Sequence, residues 1–364
     1  IKEKRMKRNA CGLILLVCSS LYFSGCGYAG PEKAVRRELD YIQKLDEDAI
    51  SSFFSYENFP LHSDQSSGTG SDTTEAIRLF FENFKYHIDS STQSQNGTEA
   101  TVNVSLTNLD AQELAKDLCR EIYRDSLSYS HSDYDIHSAF SLMKECLERN
   151  DYPAKTTTAT IHLTSENDVW TIDSTPELED DLTGGLVSYL SDPYLLSPED
   201  ILDLTLAPFK DFTAEDWQSY LEISDVFAVG TDQADTIDKL LFQQIAAFFD
   251  YQITDVVQDG DDAKVTVNIT SLDLNTVIES CLGPLRDYGT STESIRASSE
   301  EFNRKTGEIL ITALEDNVSS TVTQITVLLH NDGHTWDPVL DTSFTDALLG
   351  NLDESLASLN AAAE

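Results

Sequence analysis

The amino-acid sequence predicts an α+β protein built from two tandem repeats. In each repeat, N-terminal helices pack on a curved antiparallel sheet, and a helical insertion separates strands of that sheet. Two observations predict this fold class. One is an internal duplication, and the other is the order of periodicities in each copy, where helical spacing of apolar residues precedes strict apolar–polar alternation.

The duplication is visible without gaps at the main strand of each copy. Residues 97–110 (GTEATVNVSLTNLD) align with residues 260–273 (GDDAKVTVNITSLD). Further along, Trp170 matches Trp336, and residues 182–186 (LTGGL) match residues 348–352 (LLGNL). Because the matches keep the same order in both halves, duplication explains them better than coincidence.

The first element is a targeting segment, predicted over residues 1–25. A basic stretch comes first and an apolar run over residues 13–17 follows, too short to span a bilayer as a permanent helix. The segment ends in residues 23–26 (FSGC), which resemble the lipobox of bacterial lipoproteins. The resemblance implies that Cys26 carries a diacylglyceryl group with palmitate-type acyl chains. It thereby implies a membrane-anchored protein on the extracytoplasmic face of the cell envelope.

The first repeat is predicted over residues 26–190. Its apolar residues indicate an opening helix, an inward-facing helix, an alternating strand, two inserted helices and a hairpin that ends near Trp170, followed by a short helix. The residues that define these elements are, in order, Val35, Leu39, Ile42 and Leu45; Ile77, Phe80, Phe81, Phe84 and Ile88; Ala100, Val102, Val104 and Leu106; Leu114, Leu118 and Ile122; Ile136, Phe140, Met143 and Leu147; Ile161 and Leu163; and Leu182 to Leu190. Alternation in the strand leaves one face solvated, which favours an antiparallel sheet.

The second repeat, residues 199–364, shows the same order. Helical spacing over residues 201–221 and 237–248 precedes an alternating strand at residues 263–269, inserted helices and a hairpin that ends at Trp336. Residues 191–198 form the predicted linker between the copies. Pro193 and Pro198 make this linker semi-rigid.

Helices followed by an alternating antiparallel sheet resemble the nuclear transport factor 2-like or cystatin-like fold, a cone shared with ketosteroid isomerase. Tandem domains of this kind behind a lipobox are similar to Gram-positive lipoproteins with domains of unknown function. The stretch 267–273 (VNITSLD) and its twin, residues 104–110, carry most of this resemblance. In the isomerase relatives an acid and a tyrosine act inside the cone, which makes Tyr86, Tyr251 and Asp250 candidates. Trp170 and Trp336 are further candidates for a cavity, although a duplicated aromatic residue is more often core.

Charge excludes one class of partner. The chain has 24 basic and 64 acidic residues and a formal net charge of −40, so it repels nucleic acid and anionic lipid headgroups. Either the acidity keeps an envelope protein soluble, or it attracts a cationic ligand or partner.

Cysteine and histidine patterns predict no cofactor and no metal site. Cys119 and Cys146 lie on the two inserted helices, where either a disulfide or two buried thiols fit an extracytoplasmic protein. The pattern of His131, Asp133 and His137 does not place three ligands on one helix face, and the histidines at 330 and 334 bracket a turn.

We therefore expect a non-enzymatic module that binds a small ligand or an envelope protein, or acts as a scaffold, at the membrane. The alternative is an isomerase- or hydrolase-like enzyme that uses one cone cavity. A transporter-associated solute-binding protein ranks last, because such proteins alternate strands and helices in parallel sheets.

Overall fold

The structure is a computed structural model that describes residues 30–44, 69–127, 136–222 and 233–350. The chain divides between Leu196 and Ser197 into two compact units. This division falls inside the stretch 191–198. Leu195 is buried against the core of the first unit, and the Ser197 side chain caps the first helix of the second.

The first unit opens with helices and then alternates sheet and helix. Its helices are α1 (Pro31–Gln43), α2 (Thr69–Phe81), α3 (Ala111–Leu127), α4 (Ile136–Arg149), α5 (Pro176–Leu182) and α6 (Leu186–Ser191), and its strands are β1 (Lys85–Gln93), β2 (Glu99–Leu109), β3 (Ala154–Glu166) and β4 (Val169–Ile172). The last two helices are separated by Gly184 and Gly185, both with positive φ, where the sequence suggested one helix.

The described elements of the second unit follow a similar order. Its helices are α7 (Pro198–Leu206), α8 (Ala214–Leu221), α9 (Ala234–Phe248), α10 (Leu274–Gly289), α11 (Thr292–Arg296), α12 (Ser299–Asp316) and α13 (Thr342–Leu348), and a 3-10 turn (Ala207–Asp211) links α7 to α8. Its strands are β5 (Asp250–Asp259), β6 (Asp262–Leu272), β7 (Ser320–Asn331) and β8 (Trp336–Val339).

Each unit contains a four-stranded antiparallel sheet, in the order β1-β2-β3-β4 or β5-β6-β7-β8. The α+β class is therefore confirmed. The two sheets are open, with strands at both edges, and are not closed barrels. The first strand of each sheet has a register shift at the same place, between Ile88 and Ser90 in β1 and between Ile253 and Asp255 in β5. The first strands of the two sheets therefore share an irregularity in register at corresponding places.

Strands β1 and β5 are corrections to the sequence analysis, which did not predict them. Ile88 was assigned to the inward helix, but α2 ends at Phe81 and Ile88 lies in β1. Both strands lie at a sheet edge, and neither contains a fully buried residue. An edge strand without a buried stripe lacks the alternation by which the central strands were recognised.

The apolar face of each sheet is covered by helices. In the first unit, Val102, Val104 and Leu106 of β2 are buried with residues of α1, α2, α3 and α4. In the second unit, Val265, Val267 and Ile269 of β6 are buried in the same way. Among the described helices, none is long and apolar enough to cross a membrane.

Candidate functional site

Two tyrosines predicted from the isomerase resemblance occupy equivalent positions. Tyr86 lies in β1 opposite Leu106, and Tyr251 lies in β5 opposite Ile269. The Tyr86 hydroxyl donates to Oδ1 of Asp40 in α1 at 2.5 Å, and the Tyr251 hydroxyl donates to Oδ1 of Asp203 in α7 at 2.7 Å. In both units, therefore, a tyrosine ties the edge strand to the opening helix.

Burial and these hydrogen bonds favour the protonated phenols. Burial and the adjacent Asp40 raise the pKa of Tyr86 to about 12, and burial and Asp203 likewise raise the pKa of Tyr251. A tyrosine held in this way is a hydrogen-bond donor at neutral pH. Asp250, the third candidate, forms a salt bridge with Lys210 at 2.5 Å, which lowers its pKa.

Trp170 and Trp336 are buried at the equivalent hairpins, opposite Ser165 and Asn331 respectively. A third tryptophan, Trp217, is fully buried within a cluster of aromatic rings in the second unit. The other rings of this cluster are Phe209, Phe212, Tyr220 and Phe249. Neither these tryptophans nor the two tyrosines line the cavity described next, so their assignment to a ligand cavity stays a prediction.

A small polar cavity lies in the first unit beside the end of β2. Asn108 borders it and is buried, yet neither its amide nitrogen nor its amide oxygen has a hydrogen-bond partner. The other lining residues are Leu106, Leu109, Lys155, Thr157, Asp181, Leu182 and Gly184. A buried amide without partners costs about 1–3 kcal/mol, so this side chain is suited to a polar molecule that satisfies both of its atoms.

Charged groups converge on the same cavity. Burial and the neighbouring Asp180 raise the pKa of Asp181. Across the cavity, the Lys155 ammonium donates to Oδ1 of Asp110 at 3.2 Å, and this bond raises the pKa of Lys155. The space among these carboxyl, ammonium and amide groups is about 10 Å³, which is room for one water molecule.

The second unit closes the equivalent position. Ser271 takes the place of Asn108, and its hydroxyl donates to the carbonyl oxygen of Leu348. Ala347, which is buried, stands where the first unit has Asp181. Among the described residues, the unpaired buried amide at this position therefore occurs in the first unit and not in the second.

Asn108 was missed by the sequence analysis, although a signal was present. Buried positions alternate along β2 through Val102, Val104 and Leu106, and the next position in that series is Asn108. A polar residue in the inward register of a strand predicts either a buried hydrogen bond or a site.

Cys119 and Cys146 are not joined by a disulfide bond. They lie on α3 and α4, which pack together, but a disulfide also requires Cβ atoms about 3.5–4.5 Å apart, and helix contact alone does not guarantee this. Cys146 is buried, and burial raises its pKa to about 11. A thiol in that state is a poor nucleophile.

Metal-ligating side chains do not cluster in the part of the chain that the structure describes. His330 instead forms a hydrogen bond between Nδ1 and Oδ1 of Asp262 at 2.9 Å. Cys26, His131, Asp133 and the side chain of His137 lie outside the described residues.

Comparison with known proteins gives little beyond this geometry. No protein-family model and no curated protein matches the chain. Among solved structures, the chain is similar to YcdA of Bacillus subtilis, a proposed lipoprotein. The sequences are 12% identical, and the match covers 73% of this chain and 95% of YcdA with a TM-score of 0.26. Agreement at that level carries no argument about the fold or function of this chain.

Proposed function

We propose that the chain is an extracytoplasmic lipoprotein anchored through Cys26, and that its two α+β units form a non-enzymatic module that binds a partner protein of the cell envelope. The anchor rests on the signal-like residues 1–25 and the lipobox-like residues 23–26. Two acyl chains on one cysteine anchor a protein stably.

One observation weighs against the isomerase-like alternative. The tyrosines expected to act in a cone, Tyr86 and Tyr251, make the same hydrogen bond to a helix carboxylate in both units, and their pKa values are raised. A duplicated contact that ties a strand to a helix is a structural role. The comparison with the nuclear transport factor 2-like fold remains part of this proposal, with the helix-covered sheets as its support.

The anchor is tested by replacing Cys26 with alanine and following membrane fractionation and incorporation of a labelled fatty acid. Cys26→Ala should abolish both, whereas Cys18→Ala, a matched change directly after the apolar run, should affect neither. Label that persists in Cys26→Ala, or label lost in Cys18→Ala, would contradict the assignment.

The binding role is tested by photo-cross-linking in intact cells. A photoreactive residue is placed at single exposed positions over both units, and adducts are separated by mass. We expect one adduct of defined mass from a contiguous set of positions. Absence of an adduct at every position would refute a protein-binding role.

A further inference from the structure

An apolar row crosses the outer face of the second sheet, on the side opposite the helices. Val257, Lys264, Leu328 and Val339 lie directly opposite one another on the four successive strands. Val257 is 57% exposed, Leu328 is 52% exposed and Val339 is 57% exposed. Directly opposite side chains in a sheet are about 4.5–5.5 Å apart at Cβ, so the row is continuous apart from Lys264, which places one exposed cation between Val257 and Leu328.

The first sheet has a polar row at the same register. Thr92 and His162 lie opposite Thr101 on either side, and the row ends at Asp173, which follows β4. These side chains bond to neighbours: Thr101 Oγ1 lies 3.4 Å from His162 Nδ1, and Asp173 accepts from Thr164 at 3.0 Å. Threonine keeps the β propensity of valine. The fold therefore tolerates polar residues here, and it does not require the apolar row of the second sheet.

Acidic residues flank the apolar row. The adjacent row on the same face consists of Asp259, Asp262, His330 and Asp337, again directly opposite one another. In the first sheet the matching positions on the last three strands are Glu99, Thr164 and Thr171. The second sheet thus combines an apolar strip with a concentrated negative rim, and the first sheet has neither.

We propose that this outer face docks a segment of a partner protein whose apolar side chains are flanked by lysine or arginine. The inference rests on the proposed binding role and specifies the chemistry of the partner. Apolar side chains of the segment cover Leu328 and the two valines, and its cations are attracted to the acidic row, in which Asp262 is paired with His330. Charge complementarity of this kind raises the association rate and selects the partner.

The same charges disfavour other occupants. A second copy of this chain would bring two acidic rows together, in a molecule that already has a formal net charge of −40. An anionic lipid surface would be repelled for the same reason. A basic amphipathic protein segment is the occupant that satisfies both the apolar strip and the acidic rim.

The test uses residues 27–364, which include every described element of both units, and a fluorescent model peptide in which a leucine stripe is flanked by lysines. Two control peptides replace the leucines with serine or the lysines with glutamate. The protein variant combines Val257→Thr, Leu328→His and Val339→Asp, which copies the row of the first sheet. Val322→Thr is the matched control, because Val322 is exposed on the same strand, six residues from Leu328.

Fluorescence anisotropy should show binding of the leucine–lysine peptide, about tenfold or more weaker to the triple variant and unchanged for Val322→Thr. Because Val339→Asp adds negative charge, attraction by charge alone would instead be strengthened in the triple variant. Equal or tighter binding to the triple variant, equal binding of the serine–lysine peptide, or no binding at all overturns the proposal. A dimer in sedimentation that the triple variant abolishes would also overturn it, in favour of a second copy.

In-cell cross-linking separates this inference from the proposed function. Adducts that include positions 257, 328 and 339 support both. Adducts confined to other surfaces leave the binding role intact and overturn the docking surface. Absence of adducts everywhere overturns both.

Discussion

The two units share the arrangement of their strands and the contacts of those strands with helices. They differ in the side chains at two places on that arrangement. Both keep the tyrosine–aspartate tie between edge strand and opening helix, the shifted register in the edge strand and the buried tryptophan at the hairpin. They differ at the end of the central strand, where Asn108 faces a cavity and Ser271 bonds to backbone, and on the outer sheet face. Features common to the copies serve folding, and the differences are where separate functions are expected.

The largest expected difference between the units is in the stability lost on substituting two aligned glycines with positive φ, Gly184 and Gly350. A Cβ at Gly350 would overlap the carbonyl oxygen of Leu272 and lie 3.0 Å from the backbone nitrogen of Leu274. A Cβ at Gly184 would only touch Ala111 at 3.5 Å. Gly184→Ala should therefore cost about 1–2 kcal/mol from backbone conformation alone, and Gly350→Ala about 3 kcal/mol or more.

Hydrogen exchange resolved by unit is the appropriate measurement, because a chain of two units need not unfold in one step. Amides of β6 should lose more protection in Gly350→Ala than amides of β2 lose in Gly184→Ala. Equal losses would show that the two helix–sheet junctions are equally close, contrary to the geometry.

The next largest difference in stability is expected on substituting Asn108 and Ser271. Ser271→Ala removes a buried hydrogen bond to Leu348 and should lower the free energy of unfolding by about 1–2 kcal/mol. Asn108→Leu removes two buried amide atoms without partners and should leave stability unchanged or raise it by about 1 kcal/mol. The same exchange measurement applies, and a clear loss in Asn108→Leu would show that a bound molecule satisfies the amide.

The smallest effect on stability is expected from removing the tyrosine–aspartate hydrogen bonds. Tyr86→Phe and Tyr251→Phe each remove one hydrogen bond and should lower the free energy of unfolding by about 1 kcal/mol at neutral pH. Because the folded pKa of Tyr86 is raised, its contribution is complete below pH 10 and is lost as pH rises toward about 12. Unfolding followed from pH 8 to pH 12 should therefore show Tyr86→Phe converging with the unmodified protein at high pH. A difference in the free energy of unfolding that stays constant from pH 8 to pH 12 would contradict the contribution of the Tyr86–Asp40 hydrogen bond.

The central strands and most helices could be predicted because their buried apolar residues recur at regular spacing in the sequence. Val102, Val104 and Leu106 alternate with polar residues, and Ile237, Leu241 and Ile245 recur at helical spacing. The edge strands could not be predicted in this way, because Tyr86 and Ile88 are only partly buried and their neighbours are exposed. Consequently Tyr86 and Tyr251 were assigned to a cone cavity before the strand that holds them was recognised.

The candidate sites were harder to predict, because they depend on residues that meet only in the folded chain. Lys155 and Asp181 approach Asn108 from a different strand and a different helix. Leu328 and Val339 are unremarkable in sequence and form a row only through the pairing of β7 with β8. Register, which local periodicity does not specify, decides both sites.

The edges of the two sheets have a consequence for how copies of this protein meet at high concentration. An exposed strand edge offers unpaired backbone groups to neighbouring chains, which is a route to aggregation. Here the long edge strands β1 and β5 are interrupted by a register shift, and the opposite edges β4 and β8 are only four residues long, with Pro338 in β8. Copies at high concentration are thereby discouraged from joining their sheets edge to edge.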